Sequence, residues 1–254
     1  MFIPRVIPVL LLRNQGLVKT VSFDKARYIG DPINAVKLFN DLRADELVFL
    51  DILASSENRC IDPKFISLIG DEANMPFAAG GGIRTVYQIE NIIKAGAEKV
   101  IINTAAHEVD GLVRNAAEHF GSSTIVVSID VKKKFLGKKQ VYTRAGTKAT
   151  GLDPVTFAQK MEAEGAGELI ITSIEHEGKM QGYDIELIKA ISSAVSIPVV
   201  AHGGAGSLSH FSEAVKNAHA SAVAAGSRFV YHGPRNAVLI NYPSPEEIQS
   251  ALLK

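Results

Sequence analysis

The sequence predicts an α/β chain closed into a single (β/α)8 TIM barrel, and three observations predict it. Eight short apolar runs alternate with amphipathic stretches along the chain. The runs are rich in Val and Ile and lack polar alternation, as suits parallel strands covered on both faces. The second half of the chain repeats the first, the mark of a fold built from two like halves. The length of 254 residues agrees, since such a barrel takes about 250.

The elements follow in order. The opening MFIPRVIPVLLLRNQG is apolar only briefly. It lacks a basic leader and a cleavage site and is too short to span a bilayer, so Val6–Leu12 reads as a buried first strand. Glu46–Asp51, Pro76–Ala79, Lys99–Asn103, Thr124–Asp130, Glu168–Ser173, Pro198–His202 and Ser221–Ala225 complete eight strands. Between them Pro32–Leu42, Val86–Ala95, Asp153–Glu164, Asp184–Ala194 and Ser209–Lys216 carry helical periodicity.

DELVFLDI (Asp45–Ile52) returns as GELIITSI (Gly167–Ile174), and MPFAAGGG (Met75–Gly82) returns as IPVVAHGG (Ile197–Gly204). AGAEKVII (Ala95–Ile102) returns more weakly as NAHASAVA (Asn217–Ala224). Glu46 and Glu168, Pro76 and Pro198, Gly82 and Gly204 all stand 122 residues apart. The repeat predicts two-fold half-barrel pseudo-symmetry, with halves of about 1–122 and 123–254. No linker or low-complexity stretch divides them, so one domain over 1–254 is expected.

Composition narrows the function. Lys+Arg and Asp+Glu both number 27, so no basic footprint for nucleic acid or an anionic membrane exists, and a small-molecule ligand is expected. Hydrophobic content of 46% and charged content of 21% allow a large core. Cys60 is the sole cysteine; an internal disulfide is impossible, which suits a reducing cytoplasm. The seven histidines show no ligand spacing with carboxylates or Cys60, so neither metal nor cofactor is expected.

Gly80-Gly81-Gly82 ends the third strand and His202-Gly203-Gly204-Ala205-Gly206 ends the seventh. Glycine there lets backbone N–H groups approach an anion closely, and such barrels often hold phosphate near their last strands. Asn103-Thr104 and Ala225-Gly226-Ser227 would complete two phosphate cradles, joined by Gly178 after the sixth strand. The plainer reading is two tight turns. Two symmetric turns favour a ligand with a phosphate at each end.

These pieces resemble the HisF family, the cyclase subunit of imidazole glycerol phosphate synthase. The matching segments are RVIP, GDP (Gly30–Pro32), ADELVFLDI, GGGIRT, NTAA (Asn103–Ala106), FGSSTIVVSID, GLD (Gly151–Asp153), GAGELIITSI, GYD (Gly182–Asp184), VSIPVVAHGGAG and HASAVAAGS. The resemblance implies a lyase/cyclase-type subunit. It would take ammonia from a HisH-like glutaminase, as a heterodimer, and act on a bisphosphorylated aminoimidazole carboxamide ribonucleotide in histidine biosynthesis.

That chemistry needs an acid and a base on opposite sides of the ligand. Asp130 supplies one carboxylate, with a loop cap as its structural alternative. The family's other aspartate position holds Leu11, which can neither give nor take a proton. The standard cyclase reaction is therefore in question. His202 stands where the family has a small serine, Glu177 where it has a shorter aspartate, and Gly226 where it has serine. His202 is a candidate proton-transfer group, a phosphate contact or a packed rim histidine. The basic run Lys132-Lys133-Lys134 follows Asp130.

Arg5, Glu46, Lys99 and Glu168 sit at the starts of strands, where inward charges must pair. A structural plug would explain them. In the resembled family these positions form the ammonia gate, and Glu98 beside Lys99 would face the partner. Lys19 falls in the first strand-to-helix loop, where mobile loops close over substrate.

The chain also resembles a HisF-like subgroup linked to surface-polysaccharide genes and to conversion of acetamido to acetamidino sugars. IPVLLLRNQGLVKTV and AGSRFVYHGPRNAVLINYP carry that likeness, and Ala237–Pro243 departs from ordinary HisF chains. Three readings follow: an ammonia-supplying subunit working with a separate sugar amidotransferase, a true cyclase that tolerates Leu11, or a non-catalytic ammonia conduit that activates the glutaminase.

Overall fold

The computed structural model describes residues 3–134 and 137–253. Met1, Phe2 and Lys254, the ends of the expected 1–254 domain, lie outside the described residues, as do Phe135 and Leu136. Among the described residues, eight parallel strands follow the barrel order. They are β1 (Arg5–Arg13), β2 (Leu47–Asp51), β3 (Phe77–Gly80), β4 (Lys99–Ile102), β5 (Ile125–Lys133), β6 (Glu168–Ser173), β7 (Val199–His202) and β8 (Ala222–Ala225). Each pairs with the next, and β8 pairs back onto β1, with Arg5 beside Ala222. The barrel is closed and has no free edge. The expected strands fall within one or two residues of these, except that β5 runs on to Lys133.

The absence of polar alternation now has its cause. On β1, Ile7, Val9 and Leu11 point inward and join Val48, Ala78, Ile101, Val126, Ile170, Val200, Ala222 and Ala224 in the barrel interior. Val6, Leu10 and Leu12 point outward into a second core shared with the helices. Both faces are buried, so both parities must be apolar.

The longer helices are α1 (Pro32–Asp41), α2 (Pro63–Glu72), α3 (Val86–Lys94), α4 (Leu112–Phe120), α5 (Pro154–Ala163), α6 (Ile185–Ser192), α7 (Leu208–Ala218) and α8 (Pro245–Leu253). Asp31, Asp62 and Asp153 cap α1, α2 and α5 by accepting a backbone N–H, each followed by proline at the first helical position, where its missing donor costs nothing. Asp184 caps α6 in the same way. Asp153 and Asp184 thus lie just outside the helices in which the sequence placed them. Thr85 and Gln88 form a reciprocal capping box at the start of α3.

Two antiparallel additions rise from the barrel's C-terminal rim. Gly16–Val21 pairs with β1 and with Asp24–Gly30. Lys139–Thr143 pairs with β5 and with Lys148–Ala149. They follow the first strand of each half. The tail is pinned beside β1: Tyr242 Oη donates to the Val6 carbonyl at 2.7 Å and accepts from Asp45 N at 3.2 Å.

Candidate functional site

The C-terminal ends of the strands surround a cavity of about 650 Å³. Its floor is apolar, built from Val9, Leu11, Val48, Leu50, Ile101 and Ile170. Leu11 is buried there, in register with Leu50 of β2 and Val18 of the hairpin. Asp51, the next residue along β2, lines the same cavity but is paired with Arg59.

Asp130, Thr172 and His202 form one row, because strand register sets Thr172 level with both of its neighbours. Asn103 Nδ2 donates to Asp130 Oδ2 at 3.1 Å and to the Ser128 carbonyl at 2.9 Å. Burial pushes the Asp130 carboxyl up to about 7, against the opposing pull of hydrogen bonds from Asn103, Thr172 and Ser128, while the Glu177 charge adds to the rise. A carboxyl poised there can both give and take a proton near neutral pH.

His202 Nδ1 lies 3.0 Å from Thr172 Oγ1. Either atom can donate in this pair, according to the imidazole tautomer. Burial first, then the nearby Lys19 charge, pull the His202 ring down to about 3. It is neutral at physiological pH.

Lys19 does not sit on an open loop. It lies in the strand Gly16–Val21 and is buried, with Nζ 3.3 Å from Glu177 Oε1. Glu177 also accepts from Thr20 Oγ1 at 3.0 Å and Phe23 N at 3.3 Å. The hairpin is thereby tied across the rim to the loop after β6.

The glycine turns are sterically required. A Cβ on Gly82, at φ +64°, would stand 1.9 Å from the Arg59 carbonyl oxygen, and one on Gly204 would stand 2.2 Å from the Gly182 carbonyl oxygen. Gly81 packs on Asp51 as Gly203 packs on Ser173, again 122 residues apart. The two turns differ in their surroundings. Gly81, Gly82 and Thr104 border the mouth cavity together with Arg59, Arg84 and Arg144. Gly178, Gly203, Gly204 and Gly226 instead border a space of about 10 Å³ that Lys19 and Glu177 close. Ala225 is buried beside it at the end of β8.

Two expected cradle side chains are engaged elsewhere. Asn103 is turned to Asp130, and Thr104 Oγ1 accepts from Arg144 N at 2.9 Å. Sequence reading missed Thr172, Ser128, Asp51 and the rim arginines. Arg59 grips Asp51 at 2.5 and 3.2 Å. Glu108 gathers Arg84, Arg144 and Lys148, and Arg144 leads in holding its carboxyl down at about 2. Lys132, Lys133 and Lys134 are exposed.

At the opposite end, Arg5 pairs with both Glu46 and Glu168. Lys99 Nζ lies 3.1 Å from Glu46 and 2.8 Å from Glu168. The four expected residues form one closed ring of alternating charge. Glu98 is exposed beside it and accepts from Phe77 N at 2.8 Å, which fastens β3. Among the described residues no group of three metal-ligating side chains gathers, and no helix is long and apolar enough to cross a membrane.

Fold and cavity define the class: a (β/α)8 barrel with its polar, titratable side chains at the C-terminal mouth, the end where barrel enzymes work. The chain belongs to the histidine biosynthesis protein family, which matches residues 5–234, and its relatives bear the HisF name that the motifs led us to expect. A protein of Vibrio vulnificus, provisionally named imidazole glycerol phosphate synthase subunit hisF3, is 44% identical over 98% of this chain and 96% of its own. One of Pseudomonas aeruginosa, provisionally named subunit hisF2, is 45% identical over 96% of this chain and 97% of its own. The imidazole glycerol phosphate synthase subunit HisF of Alkaliphilus metalliredigens is 42% identical over 91% of this chain and 92% of its own.

Proposed function

We propose that this chain is a HisF-type synthase subunit of the cytoplasm. It forms a heterodimer with a HisH-like glutaminase docked at the Arg5/Glu46/Lys99/Glu168 end. Neutral ammonia from that partner crosses the charge ring and the barrel interior, where the small and apolar side chains of the inner cluster offer it no proton. It emerges at the mouth beside Asp130, with His202 the second candidate proton-transfer group. The first-half glycine turn holds a phosphate-bearing ligand there. The acceptor reaction is conversion of an acetamido to an acetamidino sugar in polysaccharide synthesis, shared with a separate sugar amidotransferase.

The observation that carries this reading is Leu11 on the apolar wall of a mouth that keeps a titratable Asp130. One of the two carboxylates that the cyclase reading calls for remains. A second reading, the cyclase of histidine biosynthesis, is favoured by the names of the relatives. The deciding experiment mixes the chain with ammonium salt and the bisphosphorylated aminoimidazole carboxamide ribonucleotide. Substrate loss is followed by ultraviolet absorbance beside Leu11→Asp. The native chain is expected to be inert. Turnover at an ordinary enzymatic rate sinks the sugar reading in favour of the histidine one.

A further inference from the structure

We propose that Thr172 joins Asp130 and His202 into one proton relay, so that a proton held on the Asp130 carboxyl is given or taken at the far ring nitrogen of His202. This deepens the functional reading above and rests on its placing of acid–base chemistry in the mouth.

The geometry comes first. The three residues stand on β5, β6 and β7, and strand register sets Thr172 level with both others. Thr172 Oγ1 lies 3.0 Å from His202 Nδ1, and the same hydroxyl hydrogen-bonds the Asp130 carboxyl. All three are buried, and all three line the mouth cavity. Among the described residues, Ser227 Oγ is the one unpartnered side-chain atom sealed from solvent. His202 Nε2, which also lacks a partner in the protein, is therefore not sealed and opens onto the space a ligand would fill. The ends of the row are two strand spacings apart, about 10 Å. In the closed barrel of eight, β5 lies opposite β1, and β7 lies midway between them. The relay thus carries the reach of Asp130 half of the way towards the wall where Leu11 stands.

A hydroxyl set between a carboxyl and an imidazole passes a proton on by giving its own and accepting another. With Asp130 neutral, its O–H donates to Thr172, Thr172 donates to Nδ1, and Nε2 carries the ring proton. When a ligand takes the Nε2 proton, Nδ1 takes that of Thr172, and Thr172 takes that of Asp130. The carboxyl ends as a carboxylate, the hydroxyl is restored, and the ring is neutral before and after. Run backwards, the same steps make Nε2 a base. No imidazolium forms, which fits a ring whose protonation is opposed by burial and by the Lys19 charge. The proton released is in effect that of Asp130, whose carboxyl burial raises to about 7. Lys19 and Glu177 are the charged groups acting on the row, and Asp51, Arg59 and Arg144 border the same cavity.

The experiment follows the His202 ring nitrogens and the Asp130 carboxyl carbon by NMR. It uses the isotopically labelled full chain from about pH 5 to about pH 9, with no ligand added. The His202 signals are assigned by their loss in His202→Gln. The ring should stay neutral throughout, and the ratio of its two tautomers should invert, from Nε2–H to Nδ1–H, with the same midpoint as the Asp130 carboxyl. Thr172→Val keeps the shape and removes the hydroxyl; it should hold the ring in one tautomer while Asp130 still titrates. Thr172→Ser should restore the exchange. A native ring locked in one tautomer while Asp130 titrates overturns the relay, as does a ring that becomes charged in this range. A coupled exchange that survives in a Thr172→Val chain, folded by circular dichroism, overturns it as well. Each of these results leaves the ammonia and sugar reading standing, since that reading is decided by the substrate assay above.

Discussion

Replacing Asp130 with asparagine removes a carboxylate whose ionisation the fold opposes. Its pKa rises from 3.8 to about 7, chiefly through burial. Between those values the unfolded chain has released the proton and the folded chain still holds it. Stability is therefore full below pH 3.8 and falls as pH rises to 7, by about 1.4 kcal/mol per unit and about 4 kcal/mol at most. Asparagine escapes that cost. It keeps one oxygen for the donors around Asp130 but loses the other as an acceptor, at about 1 kcal/mol. Asp130→Asn should thus be more stable than the native chain by about 2–3 kcal/mol at pH 8 and slightly less stable near pH 4. His202, lowered from 6.5 to about 3, gives the opposite slope. Its share of stability is present above pH 6.5 and is lost as pH falls towards 3. It acts equally in both proteins and cancels in their difference. Urea midpoints at several pH values measure that difference. A difference that stays flat with pH, or a variant weaker at pH 8, refutes the burial argument. Activity should meanwhile fall about 10²–10⁴-fold if Asp130 transfers a proton.

Other perturbations have their own scale. Gly82→Ala, which meets the Arg59 carbonyl at φ +64°, should cost more than about 3 kcal/mol and lower soluble yield. Gly121→Ala, at φ +82° and ψ 144°, meets nothing nearby but takes a backbone conformation that side chains disfavour, and should cost about 1–3 kcal/mol in thermal melting. Arg5→Ala leaves Glu46 and Glu168 to share Lys99; with Arg5 partly solvated, about 2–3 kcal/mol and a Tm drop of about 5–10 °C are expected. Tyr242→Phe removes the tail's bonds to Val6 and Asp45 and should cost about 1–2 kcal/mol in urea unfolding.

The barrel was legible because its cause is local. Every strand buries both faces, so each reads as a short apolar run, and Asp-Pro marks the starts of α1 and α5. The same pair at Asp62-Pro63 also announced α2, a signal the periodicity search passed over. The rim hairpins were hidden because Asp24–Gly30 is largely solvent-exposed and polar, leaving no alternation to find. In the mouth, Asp130 and the glycines stood out by type and place. The Lys19–Glu177 tie did not, since its partners are 158 residues apart and nothing near either names the other. Thr172 was equally silent: a lone threonine in a strand gains its role only from the register that sets it between Asp130 and His202.

The ring at the strand N-termini has a reach as well as a shape. Arg5, Glu46, Lys99 and Glu168 alternate in sign, so together they form a quadrupole, whose field fades with distance far faster than that of a lone ion. The mouth lies four strand residues further on, from Glu168 to Thr172 and so about 13 Å away, and hears almost nothing of these four charges. Removing one member ends that silence. Lys99→Met leaves a surplus negative charge that should raise the Asp130 pKa further, and Glu46→Gln leaves a positive one that should lower it. The two ends of the barrel then communicate without any atom moving between them.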